Sequence, residues 1–233
     1  DYIARMDADD IALPIRIENQ FRYLENNPDI FLIGSRFEHI NKIGNIVPDF
    51  NVFFEDVSSR LPYTNCIYHP SVMFRNNHKV FYREKFIYSQ DYDLYLRLLS
   101  EDKLIKNIPD ILIRYRNNPG AISNTKRTKQ ILFKLKAQEF YKQRLRYGID
   151  EYYRFDPFQI LNIDLDKTRD KIILETEIDV CFAKCRFDRL KKIYGKYRKI
   201  YGVLNYSTIL YLASFLGEKN ITTIRKIIKK FRN

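Results

Sequence analysis

The spacing of apolar residues changes character once along this chain, at its clearest turn cluster, Asn117-Asn118-Pro119-Gly120. Before that cluster, short strand-like runs alternate with helix-like ones. After it, apolar residues recur at helical spacing over long stretches, Ile131 to Tyr147 and Lys171 to Tyr201, with Gly195 and Gly202 expected as interruptions. An α/β body followed by a mainly helical part satisfies both halves, and the division is placed at 1–124 and 125–233.

Charge divides the same way. Residues 1–125 carry 15 Lys and Arg against 17 Asp and Glu, a net of −2, and residues 126–233 carry 26 against 12, a net of +14. The sum is the +12 of the whole chain. A near-neutral body with a basic appendage suggests that the appendage meets something anionic. With 45% hydrophobic residues over 233 positions a sizeable core is available, which excludes global disorder. Cys66, Cys181 and Cys185 form neither a disulfide framework nor a Cys-x-x-Cys knuckle, so a reducing, cytoplasmic setting is the natural reading. The longest apolar run, Ile209 to Phe215, is too short to span a bilayer. The opening residues Asp1 to Met6 read as the middle of a strand, so further chain is expected upstream.

The first half resolves into expected elements. Tyr2 to Met6 reads as a strand running into the acidic loop Asp7-Ala8-Asp9-Asp10. A helix follows, with Pro14 in its first turn and Ile17, Phe21 and Leu24 on its inward face. Ile30 to Gly34 is a buried-type strand, and Phe37 to Val47 a hairpin turning at Asn41, Gly44 and Asn45. Val52 to Leu61 is expected helical and Ser71 to Phe74 extended. Ser89 is placed to cap a helix from Gln90 to Leu99 with Tyr92, Tyr95 and Leu99 inward, and Leu104 to Ile108 and Ile111 to Tyr115 are two further strands.

Three stretches carry chemistry. In an extended loop Asp7 and Asp9 would project to one side, and two carboxylates suit Mg²⁺ or Mn²⁺, which usually takes its remaining ligands from substrate phosphates and water. The same triplet also suits a solvated acidic turn. Asp91 falls in the first turn of its helix, where the positive end favours a carboxylate, the state a general base needs. Complementing the helix dipole would explain Asp91 equally well. His69 precedes Pro70 and is biased to an extended backbone, from which its ring could bond a phosphate or an acceptor hydroxyl, or simply be a satisfied structural residue.

The order of these stretches resembles family 2 glycosyltransferases, inverting enzymes of the GT-A (Rossmann-like) fold. Tyr2 to Asp10 followed by Pro14-Ile15-Arg16-Ile17-Glu18-Asn19-Gln20 is similar to the family's metal-binding segment, with its DXD motif. His69 to Arg75 resembles a recurrent strand of the family, Gln90 to Leu98 its catalytic-base helix, and Tyr115-Arg116 with Ser123 its closing loop. Many relatives have His where Asn118 stands. The family's N-terminal strands have no counterpart, so the resemblance implies the C-terminal part of a transferase domain. It further implies that Asp7 and Asp9 hold the divalent metal, Asp9 being favoured for direct ligation, and that Asp91 deprotonates the acceptor hydroxyl. His69 and Gln90 would line the acceptor side, and Arg116 would meet the diphosphate. The implied donor is a nucleotide-diphosphate sugar delivering a hexosyl or N-acetylhexosaminyl group. The acceptor is a saccharide or lipid-linked hydroxyl in surface polysaccharide or glycolipid synthesis.

At about 100° per residue, Ile221, Ile224, Ile227, Ile228 and Phe231 share one third of a helix, opposite Arg225, Lys226, Lys229, Lys230 and Arg232. That is the pattern of an interfacial anchor on an anionic membrane, on the inner face of the plasma membrane, although packing on the preceding helix would use the same face. The +14 half would also fit a nucleic-acid-binding module, but no RNP, zinc-finger or helix-turn-helix signature supports one. An inactive structural fragment of a transferase is the third alternative.

Overall fold

Two separate compact units make up the chain: 1–125 with 133–157, and 126–132 with 158–233. A computed structural model describes residues 1–48, 53–116, 126–202 and 206–216. Asn117 to Gly120, Ser123 and the segment 221–232 lie outside the described residues.

The first unit is built on a mixed sheet. Its strands are β1 (Tyr2–Ala4), β2 (Ile11–Ala12), β3 (Ile30–Ile40), β4 (Ile46–Val47), β5 (Met73–Arg75) and β6 (Leu104–Arg116). The order is β1-β5-β3-β6-β2, with β4 added to β3 as a hairpin. β3 and β6 run parallel and the other pairings are antiparallel. Ile33, Met73, Ile108 and Leu112 pack with Leu24 of α1 (Arg16–Asn26) on one side. The alternating Leu32, Phe74 and Ile113 are buried as well, so the central strands read as continuous apolar runs. β6 joins what the sequence divides into two strands. Ser35 pairs with Ile108 and Arg36 with Ile111, so Pro109 and Asp110 are extruded where proline would lack a ladder donor.

Gly34 lets another element approach closely. A Cβ there would lie 2.4 Å from Asn107 Oδ1. Asn107 in turn donates from Nδ2 to the carbonyls of Phe54 and Cys66, both at 2.9 Å, and holds that segment against the sheet. The segment is not the helix expected over 52–61. Asp56 accepts from the Ser59 hydroxyl at 2.5 Å and makes an isolated bridge with Lys106, and single turns follow. An aspartate bonding its own neighbours competes with the helix ladder.

α1 also departs from expectation. Ile17 and Phe21 are 55% and 45% exposed, while Arg16 is 1% exposed and Gln20 is fully buried beside Leu24. Arg16 donates to Gln20 Oε1 at 2.9 Å and to the carbonyl of Arg5 at 2.6 Å, and Gln20 donates to the carbonyl of Ser71 at 2.7 Å. Burial of these polar groups is tolerable because each is hydrogen-bonded.

α2 (Gln90–Ser100) forms as expected and is buried from Tyr92 to Leu98. Residues 133–157, expected in the C-terminal part, pack here because Phe133, Phe140 and Phe155 gather round Phe86 at centroid distances of 5.7–6.1 Å. Charges reinforce the aromatics: Arg83 bonds Asp150 at 2.8 Å and Arg97 bonds the buried Asp93 at 3.1 Å.

The second unit is helical. α3 (Arg127–Tyr147) begins in it, and α4 (Phe158–Leu161), α5 (Lys171–Ala183), α6 (Phe187–Tyr201) and α7 (Tyr206–Ala213) complete it. Asp170 caps α5 by accepting the Ile173 N–H at 3.0 Å. Leu174, Ile178, Phe182, Leu190, Tyr194 and Leu210 form its core. The expected 171–201 helix breaks at Cys185, whose φ is +55°, and runs straight through Gly195. Taken with the sheet, this is a mixed α/β, GT-A-like domain with a helical C-terminal part.

Candidate active site

β1 delivers the chain into the acidic loop, which is a turn rather than an extended segment. The Asp10 N–H bonds the Asp7 carbonyl at 3.3 Å, and the three carboxylates have different surroundings. Asp10 turns inward, accepting from the Tyr68 hydroxyl at 3.0 Å and the Arg116 N–H at 2.9 Å. Burial pushes its carboxyl above the usual range, against the pull of those two donors. Burial also holds the Tyr68 hydroxyl far above its ordinary value, so it remains a donor. Asp10 anchors the loop. Asp7 is half-buried and paired with Arg5 at 2.5 Å, while Asp9 is exposed and its carboxylate bonds no described residue.

Arg116 reaches the loop from the end of β6. Its Nε bonds the Asp9 carbonyl at 2.8 Å, and its Nη1 bonds the carbonyls of Asn41 and Lys42 at 3.1 and 2.9 Å. The guanidinium therefore braces the Asp9 backbone against the β3–β4 turn. Arg5 has a buried Nη1 with no partner among the described residues, a donor the sequence reading did not single out. Its position two residues before Asp7 was the signal available.

Gln90 opens α2 and is exposed; Asp91 follows, half-buried in the first turn. Ser89 holds the N-cap position without a side-chain capping bond, contrary to expectation. Its backbone is left-handed at φ 57°, ψ 29°, and its carbonyl accepts the Asp93 N–H at 3.1 Å. Such a conformation costs a non-glycine residue on the order of 1–3 kcal/mol and recurs beside functional groups. Asn65 donates to Asp91 Oδ2 at 2.9 Å, and Oδ1 bonds no described residue.

His69 opens a 3-10 turn, His69–Ser71, instead of the extended backbone expected before proline, and β5 starts only at Met73. The turn is stabilised by Ser71, whose hydroxyl donates to the Tyr68 carbonyl at 2.7 Å and accepts the Ser35 N–H at 2.9 Å. The His69 ring is held between two tyrosines, Nδ1 2.5 Å from the Tyr95 hydroxyl and Nε2 3.0 Å from that of Tyr82. Burial pushes its pKa down to about 4, outweighing the opposing charge of Asp91. The charges of Asp7 and Asp91 are both felt at His69 and at Tyr82. The acidic loop and the first turn of α2 are therefore both near enough to the His69–Tyr82 pair for their charges to act on it.

The donor chemistry suits Mg²⁺ or Mn²⁺ only in part-built form. No group of three or more His, Cys, Asp or Glu able to hold a metal occurs among the described residues. An exposed Asp9 carboxylate that bonds no described residue is open to a cation whose other ligands come from substrate phosphates.

The sequence model of Glycosyl transferase family 2 matches residues 1–98. Residues 1–98 are thus similar to glycosyltransferase family 2. The matched region contains the acidic loop, His69 and Asp91. The chain is 39% identical over 135 residues to an uncharacterized glycosyltransferase of Methanocaldococcus jannaschii, covering 55% of this chain and 47% of the relative. It is 35% identical over 121 residues to the O-antigen biosynthesis glycosyltransferase WbnJ of Escherichia coli, covering 49% and 46%. It is 28% identical over 189 residues to the amylovoran biosynthesis glycosyltransferase AmsE of Erwinia amylovora, covering 72% and 67%. The chain spans about half the length of the first two relatives.

Proposed function

We propose that this chain is part of an inverting glycosyltransferase that moves a sugar from a nucleotide-diphosphate donor to a saccharide or lipid-linked acceptor hydroxyl. The observation that carries this reading is that the charges of the acidic loop and of Asp91 both act on the His69–Tyr82 pair. Asp91 takes the proton of the acceptor hydroxyl on Oδ1 while Asn65 fixes Oδ2. The acceptor oxygen then bonds the anomeric carbon from the face opposite the departing diphosphate, whose bond to that carbon breaks with inversion. Asp9 and Asp7 would hold Mn²⁺ or Mg²⁺, which when bound neutralises charge on the nucleoside diphosphate. Arg116 keeps the Asp9 backbone in place, and Arg5 pairs with Asp7 beside it. His69 and Gln90 lie on the acceptor side, His69 as a neutral ring that positions the two tyrosines. Relatives named for O-antigen and amylovoran biosynthesis support surface polysaccharide or glycolipid synthesis as the setting.

The test is release of nucleoside diphosphate from a panel of nucleotide-sugars by the full-length protein with Mn²⁺, followed by NMR of the product's anomeric centre. A product of inverted configuration is expected. A retained configuration would overturn the Asp91 mechanism.

We also propose a peripheral site on the inner face of the plasma membrane. No helix among the described residues is long and apolar enough to cross a membrane. The support is the +14 charge of residues 126–233 and the exposed Ile209, Leu212, Phe215 and Leu216 near the end of the described chain.

A further inference from the structure

We infer that a cavity linked to Asp91 through Asn65 holds the sugar ring of an anionic acceptor, with Arg36 meeting its carboxylate or phosphate. This rests on the transferase reading above and names the acceptor class. The cavity has a volume of about 460 Å³, between β3 and the segment following it, and such a volume is ordinary for a small-molecule site. Two of its walls lead to the chemistry. Asn65 lines it and donates to Asp91 at 2.9 Å, and Tyr68 lines it and donates to Asp10 at 3.0 Å. Asn65 thus belongs both to the cavity wall and to the hydrogen bonding of the base.

The lining suits a pyranose. Phe37 packs on Tyr68 in a tilted pair with centroids 4.1 Å apart and meets His39 edge-on at 5.1 Å. Phe53 and Phe54 add two more aromatic faces. Aromatic faces take the C–H faces of a sugar, and the Asn65 amide is among the few polar groups that can orient a hydroxyl. Charge then selects among sugars. Glu38 is neutralised by Arg114 at 3.4 Å. Arg36 is exposed, with its guanidinium 5.9 Å from the Phe53 centroid and no carboxylate partner among the described residues. Its guanidinium fork matches the oxygen pairs of a carboxylate or a phosphate.

The experiment uses the full chain without donor or metal and three probes: methyl β-glucopyranoside, the corresponding glucuronide and the corresponding 6-phosphate. Dissociation constants are measured by calorimetry or by saturation-transfer NMR titration. The acidic probes should bind about three- to fivefold more tightly than the neutral one, the scale of a partly exposed ion pair. Arg36→Gln should erase that difference, and Phe37→Ala, with Phe37→Leu as the milder variant, should weaken all three. The tighter of the two acidic probes identifies the source of the charge. Equal binding of neutral and acidic probes, a preference that survives Arg36→Gln, or no binding by any probe overturns the inference. So does inorganic phosphate binding as tightly as the phosphorylated sugar. Donor and turnover do not enter the measurement, so this site can fail while nucleotide-sugar transfer stands, and the reverse.

Discussion

The side-chain amide of Asn65 donates to Asp91 Oδ2 at 2.9 Å, tying the first turn of α2 to a residue 26 positions earlier in the chain. One carboxylate oxygen is thereby committed and the other is left for a substrate proton. Asp91→Asn should lower kcat about 10²–10⁴-fold, the usual range for loss of general-base assistance, with donor affinity unchanged. Steady-state kinetics with donor and acceptor varied separately distinguish the two effects. Loss of donor binding with turnover preserved at saturation would assign Asp91 a different role.

Asp9→Asn should abolish metal-dependent transfer while leaving the fold intact. An amide cannot replace an anionic ligand, and an exposed loop carboxylate contributes within about 0.5 kcal/mol to stability. Paramagnetic resonance of Mn²⁺ with nucleoside diphosphate should show binding by the wild type and none by the variant. Normal turnover at saturating Mn²⁺ would remove Asp9 from the metal site.

Arg16→Met should destabilise the first unit by about 2–6 kcal/mol. The carbonyl of Arg5 and the Oε1 of Gln20 each lose a buried donor, at about 1–3 kcal/mol apiece. Urea unfolding followed by circular dichroism measures this, since the chain has no tryptophan. Arg16→Met combined with Gln20→Leu should cost less than the sum of the two, because one network is being removed twice.

How much of this was legible in the sequence depends on where each bond partner lies. The β3–β4 hairpin and α2 were readable because Asn41, Gly44 and the spacing of Tyr92 and Tyr95 act locally. The buried face of α1 was not, because Arg16 and Gln20 are inward only by virtue of carbonyls on Arg5 and Ser71, which belong to other segments. A search for apolar periodicity favours Ile17 and Phe21 and misses a polar face satisfied at long range. The acidic triplet was legible as a candidate site, while the inward turn of Asp10 needed Tyr68, 58 positions away.

His69 sets a pH dependence whose direction follows from its burial. The unfolded chain takes up this proton at the ordinary value of 6.5, while the folded ring resists it down to about 4. The unfolded state therefore binds more protons across that window, so the contribution is full above about pH 6.5 and is lost as pH falls toward 4. Stability measured from pH 7 to 4 should fall in the wild type and fall less steeply in His69→Gln. An unchanged slope would mean that other groups carry it.

Residues 221–232 give the membrane proposal its test. Their five basic side chains could supply roughly 5 kcal/mol at an anionic surface, at about 1 kcal/mol each. The intact protein should co-sediment with anionic vesicles at low salt, and a version ending at Asn220 should not. Equal binding by both, or none by either, would rule the anchor out.

The parallel pairing of β3 with β6 has a consequence for how the first unit comes into being. Ile30 pairs with Leu104, so the sheet's central ladder closes a loop of more than seventy residues. The entropy of closing such a loop must be met before the ladder returns any stabilisation, which makes the step slow compared with local helix or hairpin formation. During synthesis, the apolar run of β3 leaves the ribosome long before its partner strand exists. Ile30 to Ile33 must therefore stay unaggregated through that interval, and its β5 neighbour, Met73–Arg75, is the earlier strand able to shield it.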